Sequence, residues 1–153
     1  MATKDVDVLI DGSDWAQVDT AIERRDDATA LQPYRGTIRG TVVVIGGAKI
    51  DLEFLSDAPF SGTQAPGSFV RYVRDHGSVL HEGVRYATPA VVFYMRLSAP
   101  ESWESYIPII GRDIASGVPL RTLMDAVAIA ARFGVEPRTR ERIDFVRTLL
   151  RYQ

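Results

Sequence analysis

Asp5 and Asp7 lie one residue apart in Lys4-Asp5-Val6-Asp7-Val8-Leu9-Ile10, and a third acid, Asp51, follows in Ile50-Asp51-Leu52-Glu53-Phe54. The β-branched and apolar neighbours mark both segments as strands. A two-residue period then sets Asp5 and Asp7 on one face and Val6, Val8 and Ile10 on the other. Asp51 and Glu53 share a face in the same way. Carboxylates aimed together repel unless solvent or a cation offsets them, and hard divalent ions prefer oxygen ligands. Two such ions about 4 Å apart clamp the attacking and leaving oxygens of an in-line displacement at phosphorus. Phosphoryl or nucleotidyl transfer is the chemistry this set of acids suits. Asp5 and Asp7 would hold the ions; Asp51 would complete the site and help deprotonate an incoming hydroxyl. The plain alternative is an edge strand kept acidic against strand addition, with Glu53 solvated.

The elements that must position these acids are readable along the chain. After the first strand, Asp11-Gly12-Ser13-Asp14 is a turn into a helix, with Ser13 expected as its cap. Trp15, Val18 and Ile22 form an apolar stripe for a helix to about Arg25, which Asp26-Asp27 breaks. Residues 37–55 read as a β-hairpin about Gly46-Gly47, a pair that tolerates the positive φ of a tight turn. Val42-Val43-Val44-Ile45 has no polar face, so this strand is expected to be covered on both sides. Residues 56–67 are rich in Ser, Gly, Pro and Ala, which predicts a loop. Helix and strand fit residues 69–73 equally, and 79–87 reads as a strand or hairpin interrupted at Gly83.

The back of the chain is helical. Thr88-Pro89 is a helix-start signal for residues 90–97. Pro119 precedes the stripe Leu120, Leu123, Met124, Val127 and Ala131, expected to close at Gly134. Pro137 opens a last helix with Ile143, Val146, Leu149 and Leu150 inward. Its arginines, Arg138, Arg140, Arg142, Arg147 and Arg151, are read as a solvated face. Arg121 and Asp125 are spaced to pair one helical turn apart. His76 and His81 are expected at the surface, and Trp15 and Trp103 in packing roles.

Composition narrows the classes. The chain has 153 residues and a net charge of −2, so no overall basic field drives non-specific nucleic-acid binding. With no cysteine, thiol catalysis, thiolate metal sites and disulfides are excluded, and two histidines make a histidine-rich zinc site improbable. No run reaches the length of a membrane span. A cytoplasmic domain without membrane partners is the expectation.

Thr3-Lys4-Asp5-Val6-Asp7-Val8-Leu9-Ile10 resembles the metal-binding strand of the nucleotidyltransferase superfamily that shares the DNA polymerase β catalytic fold. The similarity is greatest to small bacterial nucleotidyltransferase toxins of toxin–antitoxin systems. Asp51 in Ile50-Asp51-Leu52 resembles the third acid of that triad. Gly83-Val84-Arg85-Tyr86-Ala87-Thr88-Pro89 resembles the family's strand and Ser/Thr-Pro helix start, and the helix about Arg121 and Asp125 falls where its basic-then-acidic helix lies. The resemblance implies Asp5, Asp7 and Asp51 as catalytic metal ligands, two Mg²⁺ ions, and a nucleoside triphosphate as substrate. It also implies transfer of a nucleoside monophosphate onto a hydroxyl of RNA, protein or a small molecule, and an antitoxin or second protein chain as partner. The family's Gly-Ser or Gly-Gly turn, whose amides cradle the triphosphate at a helix N-terminus, belongs before the acids. Only four residues precede Asp5, so the first strand and helix are expected to be missing.

The expected fold is a mixed α/β domain over 1–153. A small twisted mixed sheet carries the three acids and is backed by helices; residues 1–87 are sheet-rich and 88–153 helical. The rival functional expectation is a non-catalytic binding or interaction module on the same fold.

Overall fold

The computed structural model describes residues 5–35, 38–62, 64–98, 108, 111–112, 115–133 and 137–151. It is a mixed α/β protein, as expected, and forms two compact units, 1–58 and 59–153. That division falls well before the compositional change at residue 87.

The first unit is a four-stranded sheet in the order β1-β4-β3-β2. Strand β1 (Asp5–Ile10) leads through a 3₁₀ turn (Gly12–Asp14) into α1 (Trp15–Glu23), and β2 (Gln32–Arg35), β3 (Ile38–Ile45) and β4 (Ala48–Ser56) follow. Strands β3 and β4 form the expected hairpin, with Gly46 and Gly47 at φ 59° and 82°. Strand β4 then lies parallel to β1, so the mixed sheet comes from returning the hairpin's second arm beside the chain's first strand. Helix α1 lies on one face, where Trp15 and Val18 pack against a core of Ile10, Ile22 and Phe54 together with Val8 and Leu52. The alternation of β1 thus turns Val8 and Ile10 inward, as its sequence requires.

Three local expectations are corrected in this unit and at the start of the second, which begins at Pro59. The side-chain cap is Asp11, at the start of the 3₁₀ turn, whose carboxylate accepts from the Ser13 amide at 3.0 Å and the Ser13 hydroxyl at 2.9 Å, while Asp14 at the N-cap of α1 makes no cap hydrogen bond. Ser13 is the donor because the turn tightens to 3₁₀ and brings it within reach of a side chain two residues back. Of the run Val42 to Ile45, Val43 is buried, whereas Val44 and Ile45 are 42% and 56% exposed. Val44 points to the face opposite α1, and Ile45 stands at the hairpin end. Finally, 56–67 is not all loop: β4 runs through Ser56, paired with Ile10, and α2 (Ala58–Ser61) follows with Phe60 buried.

The second unit is built from α3 (Ser68–Asp75), the hairpin β5 (Ser78–His81) and β6 (Val84–Ala87), α4 (Pro89–Ser98), α5 (Leu120–Phe133) and α6 (Pro137–Arg151). Residues 69–73 are therefore helical: Gly67 at φ 78° turns the chain and Phe69 is fully buried. The Phe69 ring meets Phe60, Tyr94 and Phe133 at centroid distances of 5.5, 5.3 and 5.2 Å. The Tyr94 hydroxyl donates to the Phe60 carbonyl at 2.8 Å, which satisfies its polar end in the core. Residues 79–87 form a complete hairpin with Glu82 and Gly83, both at positive φ, as the turn.

Arg142 departs from the solvated-face reading of the last helix. It is 2% exposed and its Nη1 donates to the Leu97 carbonyl at 2.8 Å, tying α6 to the end of α4. Arg140 and Arg147 are exposed, as expected. Trp103, Gly134, and the side chains of Arg138, Leu149, Leu150 and Arg151 lie outside the described residues.

Candidate functional site

The register of β1 on β4 decides where the acids go. In this parallel pair Asp5 is the direct partner of Asp51, and Asp7 the direct partner of Glu53. In-register partners share a face of a sheet, so all four carboxylates project from the face opposite α1. Their Cα positions mark a rectangle roughly 5 Å across the strands and 7 Å along them. Asp5, Asp7 and Asp51 are exposed, and Glu53 is half-buried. The three predicted acids are thus neighbours on one face, and Glu53, read as a solvated residue, is a fourth member of the row.

As they stand, no three His, Asp or Glu side chains among the described residues are grouped as a metal site. Asp5, Asp7 and Glu53 are each engaged in a polar or electrostatic interaction. The donor set nonetheless suits a hard divalent cation: carboxylate oxygens only, on adjacent strand positions that differ by side-chain rotation. The scaffold fixes the backbone, and χ rotation is the remaining freedom.

The same face continues onto β3. Asp51 pairs with Val42 and Lys49 pairs with Val44, which carries the acid face toward the hairpin turn. An open groove of about 730 Å³ lies there, lined by Val42, Val44, Lys49 and Asp51 on the sheet and by residues 26–29 along its edge. That edge segment is pinned to β3: the Val44 amide donates to the Asp27 carbonyl at 2.8 Å, and the Thr29 amide to the Val42 carbonyl at 2.9 Å. Asp27 is further held by Arg25, whose Nη2 lies 2.7 Å from its carboxylate and keeps that carboxyl below its ordinary range. Asp26-Asp27, legible in the sequence only as a helix stop, forms a wall of this groove. Lys49 also escaped notice, although it shares the parity of Asp51 and so its face.

Asp11 and Asp57 follow the carboxyl ends of the two parallel strands, and the Asp57 amide donates to the Ile10 carbonyl at 3.0 Å. Asp11 is already spent on the turn before α1, so its role there is structural. Gly12 is closely packed beside it: a Cβ there would come within 3.2 Å of the Ser56 hydroxyl, which would have to shift.

The other residues singled out from sequence lie in the second unit and belong to no common site. Arg121 and Asp125 form the expected pair at 3.9 Å on the exposed side of α5. His76 and His81 are exposed, as expected, and the His81 ring lies 6.4 Å from that of Tyr86. No helix among the described residues is long and apolar enough to cross a membrane.

Fold and site together define a mixed α/β protein whose sheet carries in-register carboxylates on the face opposite its helix. Comparison with protein-family models, curated proteins and solved structures returned no match to this chain.

Proposed function

We propose that this chain is a cytoplasmic nucleotidyltransferase of the DNA polymerase β-like superfamily, similar to the small bacterial toxins, with Asp5, Asp7 and Asp51 as its catalytic metal ligands. The observation that carries this reading is the parallel register that makes Asp5 the partner of Asp51 while Asp7 shares their face. Three hard ligands on two rigid strands are what a pair of Mg²⁺ ions needs, and the resemblance of Lys4-Asp5-Val6-Asp7 to the family's acidic strand supplies the reaction class. Magnesium held by Asp5, Asp7 and Asp51 would neutralise phosphate charge and favour in-line attack of the acceptor hydroxyl on the α-phosphorus, with pyrophosphate as the leaving group. Asp5 and Asp7 bind and orient on one strand. Asp51, on the neighbouring strand, would accept the proton of an acceptor hydroxyl, and Glu53 would add negative potential behind Asp7. The acceptor is a hydroxyl of RNA, a protein or a small molecule, and an antitoxin-like second chain is the expected regulator.

The test is label transfer from α-labelled ribonucleoside triphosphates with Mg²⁺, offered total RNA and a protein lysate as acceptors. Transfer with release of pyrophosphate, absent in Asp5→Asn and Asp7→Asn, is the expected outcome. A wild-type chain that binds triphosphate without transferring label would instead favour a binding module.

A further inference from the structure

We propose that Lys49 is the phosphate-holding cation of this site and that the groove beside it seats the nucleoside of the triphosphate. The inference rests on the nucleotidyltransferase reading and adds to it the place and polarity of the bound nucleotide.

Lys49 stands two residues before Asp51 on β4 and lines the same groove, so its ammonium and the Asp51 carboxylate occupy one face. Asp51 is in turn the ladder partner of Asp5. The face therefore reads, along β4, as carboxylates at Glu53 and Asp51 and a cation at Lys49. Lys49 is exposed and forms no ion pair among the described residues, unlike Arg25, Arg39 and Arg74, which are tied to Asp27, Asp19 and Asp75. A polyanion bridged to the acids by divalent ions needs such a cation on its far side, because carboxylates alone repel it.

The groove supplies the remainder. Its floor is Val42 and Val44, apolar side chains that β3 turns to the acid face, and Val44 is 42% exposed. An apolar floor beside a cation and carboxylates matches a nucleotide, whose flat base and sugar need apolar contact and whose phosphates need charge. A volume of about 730 Å³ falls within the range of small-molecule sites. The hydrogen bonds from the Val44 amide to Asp27 and from the Thr29 amide to Val42 hold the groove's wall in place before any ligand arrives. The nucleoside would thus lie toward the hairpin turn, and the acceptor would approach from the Asp7 side.

The test is calorimetry on the full chain with three titrants: Mn²⁺ alone, each common ribonucleoside triphosphate with Mg²⁺, and the nucleoside of the tightest of these. Lys49→Gln should weaken triphosphate binding about tenfold, the scale of one lost charge-assisted contact, and leave Mn²⁺ and nucleoside binding unchanged. Lys49→Arg should restore most of the loss. Val44→Asp should weaken nucleoside and triphosphate alike. Unchanged triphosphate affinity in Lys49→Gln, with binding abolished in Asp51→Asn, would overturn the role of Lys49 and leave the metal site standing. Unchanged nucleoside affinity in Val44→Asp would overturn the seat. A wild-type chain that binds neither Mn²⁺ nor triphosphate would reject this inference and the nucleotidyltransferase reading together.

Discussion

Asp5 and Asp51 are direct neighbours across the parallel β1–β4 ladder, with no residue between them and both exposed on the face opposite α1. Like charges in adjacent strand positions are destabilising, by roughly 0.2–1 kcal/mol per pair on the scale of cross-strand effects. The metal-free protein should therefore be frustrated at this pair. Asp51→Asn is expected to raise thermal stability by about that amount in the absence of divalent ions, read as a higher melting temperature. In wild-type protein, Mg²⁺ should raise the melting temperature and should not do so in Asp51→Asn.

The Arg25–Asp27 pair lies on the groove wall and sets a pH signature. The hydrogen bond from Arg25 holds the Asp27 carboxyl below its ordinary value. A depressed folded-state value means that any stabilisation is present at neutral pH and fades as pH falls through that value. Carbon-detected titration should find Asp27 ionising below an ordinary carboxylate, and Arg25→Gln should return it toward the usual range near pH 4.

Tyr94 gives the opposite limb. Burial raises its phenol above the usual value near 10. Its contribution is therefore intact at neutral pH and is lost as pH rises past the unfolded-state value toward the folded one. Denaturant unfolding between pH 9 and 11 should show a decline that Tyr94→Phe removes. At pH 7 that variant should cost about 1 kcal/mol, for the hydrogen bond to the Phe60 carbonyl.

Gly77 closes α3 and allows β5 to start. Its amide donates to the carbonyls of Tyr72 and Val73, and a Cβ would lie 2.7 Å from the Val91 side chain and 3.1 Å from the Val73 Cα. Gly77→Ala should destabilise the second unit by about 1–3 kcal/mol through overpacking. Phe69→Ala, which empties the centre of the aromatic cluster, should cost about 3–5 kcal/mol. Chemical denaturation distinguishes the two magnitudes.

Element types were legible wherever local chemistry and periodicity agreed. The Gly46-Gly47 hairpin and the Thr88-Pro89 start of α4 formed as their residues require, and α5 is helical after Pro119, but the stripe is corrected: the helix buries Leu123, Ala126, Ile129, Ala130 and Phe133, and leaves Leu120 and Met124 exposed. Residues 69–73 were ambiguous because Phe, Val and Tyr suit both states, and only burial of Phe69 in a tertiary cluster selects helix. Arg142 illustrates the converse: an arginine among arginines gives no local sign that its guanidinium will reach the Leu97 carbonyl of another helix. At the site, the period of two gave the shared face of Asp5 and Asp7, but not the register. Whether β4 meets β1 as Asp5 with Asp51 depends on the parallel return of the hairpin, a non-local choice. Lys49 and Asp26-Asp27 acquire meaning only once β3, β4 and the edge segment are assembled into one groove.

The most direct test is the number of Mn²⁺ ions bound per chain in the presence of a nucleoside triphosphate, read from the free-ion electron paramagnetic resonance signal. The wild-type chain should bind two ions, and an Asp5→Asn, Asp51→Asn double variant with an unchanged circular dichroism spectrum should bind none tightly. Equal binding by the double variant, or none by the wild type, would contradict a metal-dependent role for the Asp5–Asp51 pair.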